Sequence, residues 1–179
     1  DKLDFKKKKF SKFKNDFFNK SFNNLIVKKM WKVINGVNIS EKVVIDLFDG
    51  VETDLNEKVN IKTKKDLLVY SYRVAGTVGL MMSKILKVKN KEALMGAVDL
   101  GIAMQLTNIA RDVIEDENRN REYINYNFKS IKETIHNAEI FYKKSFIAIS
   151  SIPFRSRFSV IVARRVYKKI GDYILKQEN

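Results

Sequence analysis

The sequence predicts an all-α protein, and three observations support that prediction. The 179 residues include only one proline and seven glycines, so the residues that make tight turns in β architectures are scarce. Apolar residues recur every three to four positions along most of the chain, which is the spacing of an amphipathic helix. Convincing alternation of apolar and polar residues, the pattern of a half-buried strand, is absent from the sequence.

The first predicted helix spans residues 1–32 and is amphipathic. Phe10, Phe13, Phe17 and Phe18 share one face, and lysines occupy the other. Two interpretations stay open, a solvated outer helix or a helix that lies on a membrane surface. We expect a cytoplasmic protein, which under the second interpretation is peripheral on the inner face of the membrane. No run approaches the ~18 apolar residues of a spanning helix.

The remaining elements follow from capping residues and helical spacing. Ser40 and Thr63 are typical N-cap residues ahead of periodic apolar segments, and Pro153 suits the first turn of a helix. Two polar stretches, residues 56–62 and 118–127, are predicted to be loops. After the helix that follows Ser40, we expect helices at residues 64–87, 92–117, 130–150 and 153–176.

Composition excludes several classes of function. The chain has no cysteine and one histidine, which excludes disulfide frameworks, thiolate nucleophiles and cysteine-rich or multi-histidine metal sites. The formal net charge of +14 favours nucleic-acid or anionic-membrane binding. An AT-rich coding sequence would explain the abundant lysine, isoleucine and asparagine equally well, and no nucleic-acid motif is present. A basic helical nucleic-acid-binding module is therefore only a remote alternative.

A stripe of polar residues runs along the helix predicted before the second loop. At about 100° per residue, Gly101, Gln105, Asn108, Asp112 and Asp116 fall within an arc of about 80° on an otherwise apolar helix. Two carboxylates one turn apart repel each other, so near a buried surface they need a counter-charge. Oxygen ligands favour Mg²⁺, which usually shares the oxygens of a substrate phosphate.

This stripe defines candidate site residues. Asn108 and Gln105 are placed to bind a metal or a phosphate beside the two aspartates, and Arg111, one face away, is placed to contact a phosphate oxygen. The competing interpretation is an exposed helix end, where acidic residues are unremarkable. The position of Gln105 deep within apolar sequence argues against that interpretation.

The helix around residues 70–86 has two distinct faces. Gly76 and Gly79 share one face, and each glycine destabilises a helix by roughly 0.5–1 kcal/mol relative to alanine. The pair therefore predicts the close approach of another backbone. The opposite face is long and apolar, which is typical either of ordinary core or of the wall of a tunnel for a hydrocarbon.

These two helices resemble the two signatures of the squalene/phytoene synthase family, and most closely those of bacterial phytoene synthases. The first signature is YSYRVAGTVG at residues 70–79. The second is LGIAMQLTNIARDVIED at residues 100–116, followed by Arg121 and Tyr123. Weaker similarity covers residues 50–55 and the C-terminal helices. The resemblance implies the isoprenoid-synthase fold, with packed antiparallel helices around a central cavity.

The resemblance also implies a reaction and its site residues. The reaction is Mg²⁺-dependent head-to-head condensation of two geranylgeranyl diphosphates to phytoene through a cyclopropyl diphosphate, in carotenoid biosynthesis. Mn²⁺ is an acceptable substitute, no nicotinamide is expected, and squalene or dehydrosqualene synthesis from farnesyl diphosphate is the alternative. The implied catalytic residues are Tyr70, near the reacting centre, Tyr167, near the diphosphate, and the two aspartates Asp112 and Asp116. The implied metal ligands are Asn108, Asp112 and Asp116. Gln105, Asn108 and Arg111 would bind the diphosphate, and the residues along the prenyl chains would be Val74, Ala75, Val78 and Met82.

One expected feature of the family has no counterpart in this sequence. The first aspartate-rich motif is missing, because Asp46 and Asp49 lie in a different segment. We therefore expect residues 1–179 to be the C-terminal part of a single synthase domain without its first helices, and to be inactive alone. A third hypothesis is that the protein has this fold but is inactive or purely structural. The presence of the polar stripe together with Tyr70 argues against that hypothesis.

Overall fold

The computed structural model describes residues 2–177, and helices dominate it as predicted. In chain order the elements are α1 (Lys2–Phe18), α2 (Leu25–Gly36), α3 (Glu41–Asp54), β1 (Val59–Asn60), α4 (Lys64–Ser71), a π-helical turn (Tyr72–Gly76), α5 (Thr77–Ile85), α6 (Lys91–Arg111), α7 (Val113–Glu117), β2 (Arg121–Glu122), α8 (Phe128–Ser150) and α9 (Phe154–Lys176).

The N-terminal segment forms two helices, so the prediction of a single helix over residues 1–32 is wrong. α1 ends at Phe18 and α2 begins at Leu25. Between them Lys20 has a φ of 51°, a left-handed conformation that a helix cannot continue through. Asn24 then caps α2 by accepting a hydrogen bond from the amide of Ile26 at 3.1 Å. Local turn chemistry therefore overrides the helical spacing.

Two large cores hold most of the described helices together, and a third, small cluster contains Val88, Ala93 and Ala148. The N-terminal core is aromatic, because Phe17 stacks on Trp31 with ring centroids 5.0 Å apart and meets Phe48 edge-on at 5.1 Å. The larger core surrounds α6, where Ala103 and Leu106 are fully buried among residues of α4 and α8. By length and composition α6 could cross a membrane, but most of it is buried in this core, and buried core helices pass the same test.

Glycines bring the helices around α6 into backbone contact, which confirms the prediction from Gly76 and Gly79. A Cβ atom added at Gly79 would lie 2.2 Å from the carbonyl oxygen of Ala97. A Cβ atom added at Gly101 would lie 2.3 Å from the carbonyl oxygen of Ala75. Because no side chain separates the backbones at these points, α5 and the π-helical turn pack directly on α6.

Two predicted helices are interrupted where the apolar pattern shows no break. The helix predicted over residues 64–87 widens into the π-helical turn, a geometry that is frequent at functional sites. The helix predicted over residues 92–117 ends at Arg111, and Asp112, with φ −100° and ψ 14°, joins it to the short α7. The polar stripe therefore bends at Asp112 and does not continue along one straight helix to Asp116.

A short parallel pairing joins the two segments predicted to be loops. Val59 lies opposite Arg121 and Asn60 lies opposite Glu122. The amide of Ile61 donates to the carbonyl of Glu122 at 2.9 Å and extends the pairing by one hydrogen bond. Two residues per strand are too few to show alternation in the sequence. The pairing holds the segment after α7 against the segment after α3.

Candidate functional site

An apolar cavity of about 320 Å³ lies between the π-helical turn, α5, α6 and α8. The four residues predicted to contact prenyl chains all line it: Val74, Ala75, Val78 and Met82. Gln105 and Asn108 add amide groups toward the C-terminal end of α6. Along α6 the lining extends from Ala97 to Asn108, which is about 16 Å at 1.5 Å per residue. The cavity therefore has the shape of a long apolar slot with one polar end.

Asn108 presents an unpaired oxygen at that polar end. Its Oδ1 atom is buried and has no hydrogen-bond partner among the described residues. Leaving a buried acceptor unsatisfied costs about 1–3 kcal/mol. A bound cation or hydrogen-bond donor would remove that cost, which makes this atom a candidate ligand-binding group at the polar end.

The two predicted metal-binding carboxylates follow the end of α6. Both carboxylate oxygens of Asp112 accept from Arg111, whose Nε and Nη2 atoms each donate at 2.7 Å. This hydrogen bond with Asp112 raises the pKa of Arg111. Asp116 lies one turn further, and its pKa is raised first by burial and then by the negative charge of Asp112. In this structure Arg111 neutralises Asp112, a pairing that the sequence did not predict.

These groups fit a magnesium ion as part of its ligand set. Asp112, Asp116 and Asn108 carry the oxygen donors that Mg²⁺ prefers. Within residues 2–177, however, no group of three or more acidic, histidine or cysteine side chains is close enough to hold an ion. A bound Mg²⁺ would therefore need further oxygens, and substrate phosphates usually supply them.

Tyr70 belongs to a buried cluster with Asp54 and Tyr123 and is not among the residues that line the cavity. The hydroxyls of Tyr70 and Tyr123 donate to the same oxygen of Asp54 at 2.8 Å and 2.7 Å. The two phenol rings stack with centroids 4.8 Å apart. Arg121 adds a hydrogen bond from Nη2 to the main-chain carbonyl of Asp54 at 3.2 Å. The cluster thus ties the end of α3 and α4 to the segment after α7.

Asp54 was not among the candidate site residues predicted from the sequence. The only signal for it was the weak family resemblance of residues 50–55. Its two phenolic partners lie 16 and 69 residues away in the chain, so no local spacing could have connected the three groups.

We expect Tyr70 and Tyr123 to stay protonated well above pH 10. Burial raises the pKa of both phenols, and the Asp54 carboxylate raises it further. These folded-state pKa values exceed the unfolded value of about 10. The contribution of the two phenols to the free energy of unfolding is therefore fully present below pH 10, and it is lost as the pH rises from there through the folded-state pKa values. Ultraviolet titration of tyrosinate checks this expectation.

The Asp54→Asn variant provides the comparison for that titration. Removing the carboxylate charge should lower the pKa of Tyr70 and Tyr123. Tyr142 is the internal control, since burial raises its pKa to about 12 and its hydroxyl pairs with Thr107 instead. Ionisation of all seven tyrosines near pH 10 in the folded wild-type protein would contradict the expectation.

Tyr167, the last predicted site residue, is half-buried on α9 and packs against the core around α6. Its chain neighbour Val166 lines a surface pocket together with Arg111. One turn earlier, Arg164 donates from Nη2 to the carbonyl of Tyr142 at 2.8 Å. The structure therefore brings the segment of α9 that carries Tyr167 to the same end of α6 as Arg111.

One side of the cavity is open. Val78 and Met82 line the cavity, yet 41% and 50% of their surfaces are exposed. α9 contributes Val160 to the cavity, and on the same helix Phe154 and Phe158 are 83% and 74% exposed. On this side, apolar residues of the cavity wall are therefore in contact with solvent.

Comparison with known proteins identifies related sequences. The family model described as squalene/phytoene synthase matches residues 21–125. The 15-cis-phytoene synthase of Paracoccus sp. (strain N81106 / MBIC 01143) is 34% identical over 150 residues, which cover 74% of this chain and 49% of that protein. The 15-cis-phytoene synthase of Pantoea ananas is 33% identical over 155 residues, which cover 75% and 50%. The chain thus spans about half the length of these relatives.

Two solved structures have the same fold. Squalene synthase HpnC from Alicyclobacillus acidocaldarius superposes with a TM-score of 0.74 at 17% identity, covering 98% of this chain and 73% of that one. A dehydrosqualene synthase in complex with ligand superposes with a TM-score of 0.68 at 29% identity, covering 77% and 56%. The predicted isoprenoid-synthase fold is confirmed.

Proposed function

Because this chain belongs to the squalene/phytoene synthase family, we propose that it forms the diphosphate-binding part of a head-to-head prenyltransferase. The proposed reaction condenses two geranylgeranyl diphosphates to phytoene through a cyclopropyl diphosphate intermediate, in carotenoid biosynthesis. The observation that carries this proposal is the buried, unpaired oxygen of Asn108 at the polar end of an apolar slot. The polar end suits a diphosphate, and the slot suits a prenyl chain.

The polar end would neutralise the leaving diphosphate. Asn108, Asp112 and Asp116 are the residues that would hold Mg²⁺ or Mn²⁺, which when bound supplies Lewis-acid stabilisation of the diphosphate oxygens. Gln105 donates its amide to a diphosphate oxygen. The Arg111 side chain would leave the Asp112 carboxylate and bind the diphosphate. It would then place positive charge where negative charge develops on the leaving group.

The apolar slot would protect the cations that form after diphosphate leaves. Val74, Ala75, Val78 and Met82 pack along the prenyl chains and keep out water, which would otherwise quench an allylic cation. The cation from one substrate then adds to a double bond of the second chain, and loss of a proton closes the cyclopropyl ring. Departure of the second diphosphate, rearrangement of the carbon skeleton and loss of a further proton complete the product.

In this proposal the tyrosines bind the diphosphate or position other residues of the site. Tyr167 lies on α9 next to Val166, which shares a surface pocket with Arg111, and this placement suits a contact with the diphosphate. The cluster of Tyr70, Tyr123 and Asp54 holds the segment after α7, so it positions Asp116. The role of Tyr70 at the reacting centre stays a prediction, since its hydroxyl is bonded to Asp54.

The open side of the cavity needs a cover before it can exclude water. We infer that a further helical layer, corresponding to the half of each relative that this chain does not match, packs on the exposed side of α5 and on α9. Without this layer Val78 and Met82 stay in contact with water. We therefore expect no turnover from residues 1–179 alone.

The alternative substrate is farnesyl diphosphate, with squalene or dehydrosqualene as product. One observation favours it, namely the 29% identity to a dehydrosqualene synthase of known structure. The phytoene synthases, which are 33–34% identical over three quarters of this chain, favour the longer substrate. We expect a cytoplasmic enzyme with no nicotinamide requirement and no nucleic-acid partner.

A hybrid enzyme tests the proposed function. The residues of the Pantoea ananas enzyme that precede its matched segment are fused upstream of residues 1–179, and the hybrid receives geranylgeranyl and farnesyl diphosphate in separate reactions. Mass spectrometry should detect phytoene from the first substrate, and only with Mg²⁺ or Mn²⁺. A squalene-type product would establish the alternative, and a folded hybrid without any turnover would contradict the proposal.

A further inference from the structure

The outward face of α1 is basic and apolar at once. Taking buried Phe17 as zero, at about 100° per residue, Phe5, Lys8, Lys9 and Lys12 fall between roughly 180° and 280°, directly away from the core. All four are exposed, and Phe5 is 67% exposed. A solvated helix face has no need for a phenylalanine among its lysines.

The lysines of this face have no acidic partners. Within residues 2–36, ion pairs involve only Lys14 and Lys20, so Lys8, Lys9 and Lys12 form no ion pair with a described carboxylate. One carboxylate lies on this arc, that of Asp16, and it accepts a hydrogen bond from the side chain of Asn24 at 3.0 Å. The arc therefore carries three lysines and one aspartate, which gives it a net positive charge.

Apolar side chains project from the turn that follows α1. Phe22, Leu25 and Ile26 are 53%, 62% and 62% exposed, because the first turn of α2 buries only Val27 of its apolar residues. Beside them, the ammonium group of Lys20 lies 4.4 Å from the centroid of the Trp31 ring. Three large apolar side chains in water are typical of a surface that contacts something apolar.

We propose that this N-terminal surface, formed by the outward face of α1 and the α1–α2 turn, binds the surface of an anionic lipid bilayer. Lysines near such a surface are attracted to its negative potential, and aliphatic and aromatic side chains partition into the headgroup–acyl boundary. A nucleic-acid backbone would account for the lysines only, because Leu25 and Ile26 gain nothing from phosphates. The surface lies outside the cavity, so this proposal is independent of the proposed reaction.

Vesicle sedimentation with the purified 179-residue chain tests the proposal. The vesicles are pure phosphatidylcholine or a 70:30 mixture of phosphatidylcholine and phosphatidylglycerol. We expect binding to the mixed vesicles at low salt, at least tenfold weaker binding to the neutral ones, and partial release by high salt. Absence of binding to the mixed vesicles would overturn the proposal.

Matched variants locate the binding surface. In the first variant Lys8, Lys9 and Lys12 are changed to glutamine. The control changes three exposed, unpaired lysines of α8, namely Lys129, Lys132 and Lys143, so that the net charge falls equally. We expect the first variant to bind mixed vesicles at least tenfold more weakly and the control to bind within about twofold of wild type. Equal losses would show non-specific attraction and overturn the proposal.

A third variant separates lipid from nucleic acid. Leu25→Ser with Ile26→Ser keeps the charge and removes only apolar surface, so it should weaken vesicle binding severalfold and leave any low-salt binding to duplex DNA unchanged. Circular dichroism confirms that each variant is folded. Undiminished vesicle binding by this folded variant would exclude insertion and overturn the proposal in favour of a purely electrostatic surface.

Discussion

The Asp112→Asn variant is expected to lose Mg²⁺-dependent binding of a prenyl diphosphate analogue by a factor on the order of 100 or more. Mutation of a residue that only hydrogen-bonds to a metal ligand lowers metal affinity or activity roughly 10–100-fold. Neutralising a ligand itself should therefore lower the affinity at least as much. The fold should tolerate the change, because the Asp112 side chain is 31% exposed and its only described hydrogen-bond partner is Arg111.

Calorimetry with geranylgeranyl thiodiphosphate measures this effect, in the hybrid enzyme with and without Mg²⁺. The matched control is Glu115→Gln, which removes the same charge three residues later. Glu115 is 59% exposed and pairs with Arg119 on the outer side of the chain. We expect the control to bind like wild type. If both variants lose affinity equally, net charge rather than ligation explains the binding.

The Gly101→Val variant is expected to unfold at a markedly lower urea concentration, with a loss of about 3 kcal/mol in the free energy of unfolding. The first added carbon would lie 2.3 Å from the carbonyl oxygen of Ala75 and 3.0 Å from the Cα atom of Gly76. Both contacts are to backbone, which cannot rotate away as a side chain can. α6 and the π-helical turn must therefore separate, and both carry cavity wall.

Gly36→Ala is the control for this prediction. A Cβ atom at Gly36 meets nothing within 4 Å, and alanine reduces the conformational freedom of the unfolded chain. We expect unchanged or slightly raised stability, measured by circular dichroism during urea unfolding. A Gly101→Val protein as stable as wild type would show that the two backbones are not in contact.

Local patterns predicted most of the helices and the wall of the cavity. The apolar face that contains Val74, Val78 and Met82 lines the cavity, and Gln105 and Asn108 stand at its polar end. These predictions succeeded because helical spacing places residues three to four positions apart on one face. Gly76 and Gly79 likewise indicated a close backbone contact before the contacting chain was known.

The failures occurred where local chemistry or distant contacts compete with spacing. Residues 1–32 form two helices and not one. A turn separates the two helices, and Asn24 at the end of that turn caps the second helix. The helix expected to reach residue 117 breaks at Asp112, whose carboxylate is bonded to Arg111. The parallel pairing of Val59 with Arg121 joins segments with too few residues to show a strand pattern.

The sequence by itself determined the helical class of this protein, its family and the polar stripe beside an apolar face, because each depends on the order and spacing of neighbouring residues. Only the tertiary structure decided that Asp54 binds Tyr70 and Tyr123, that Arg111 holds Asp112, and that one side of the cavity lies open. Those features join side chains from separate helices or depend on the conformation at a helix end. Packing and backbone geometry, rather than spacing along the chain, determine such contacts.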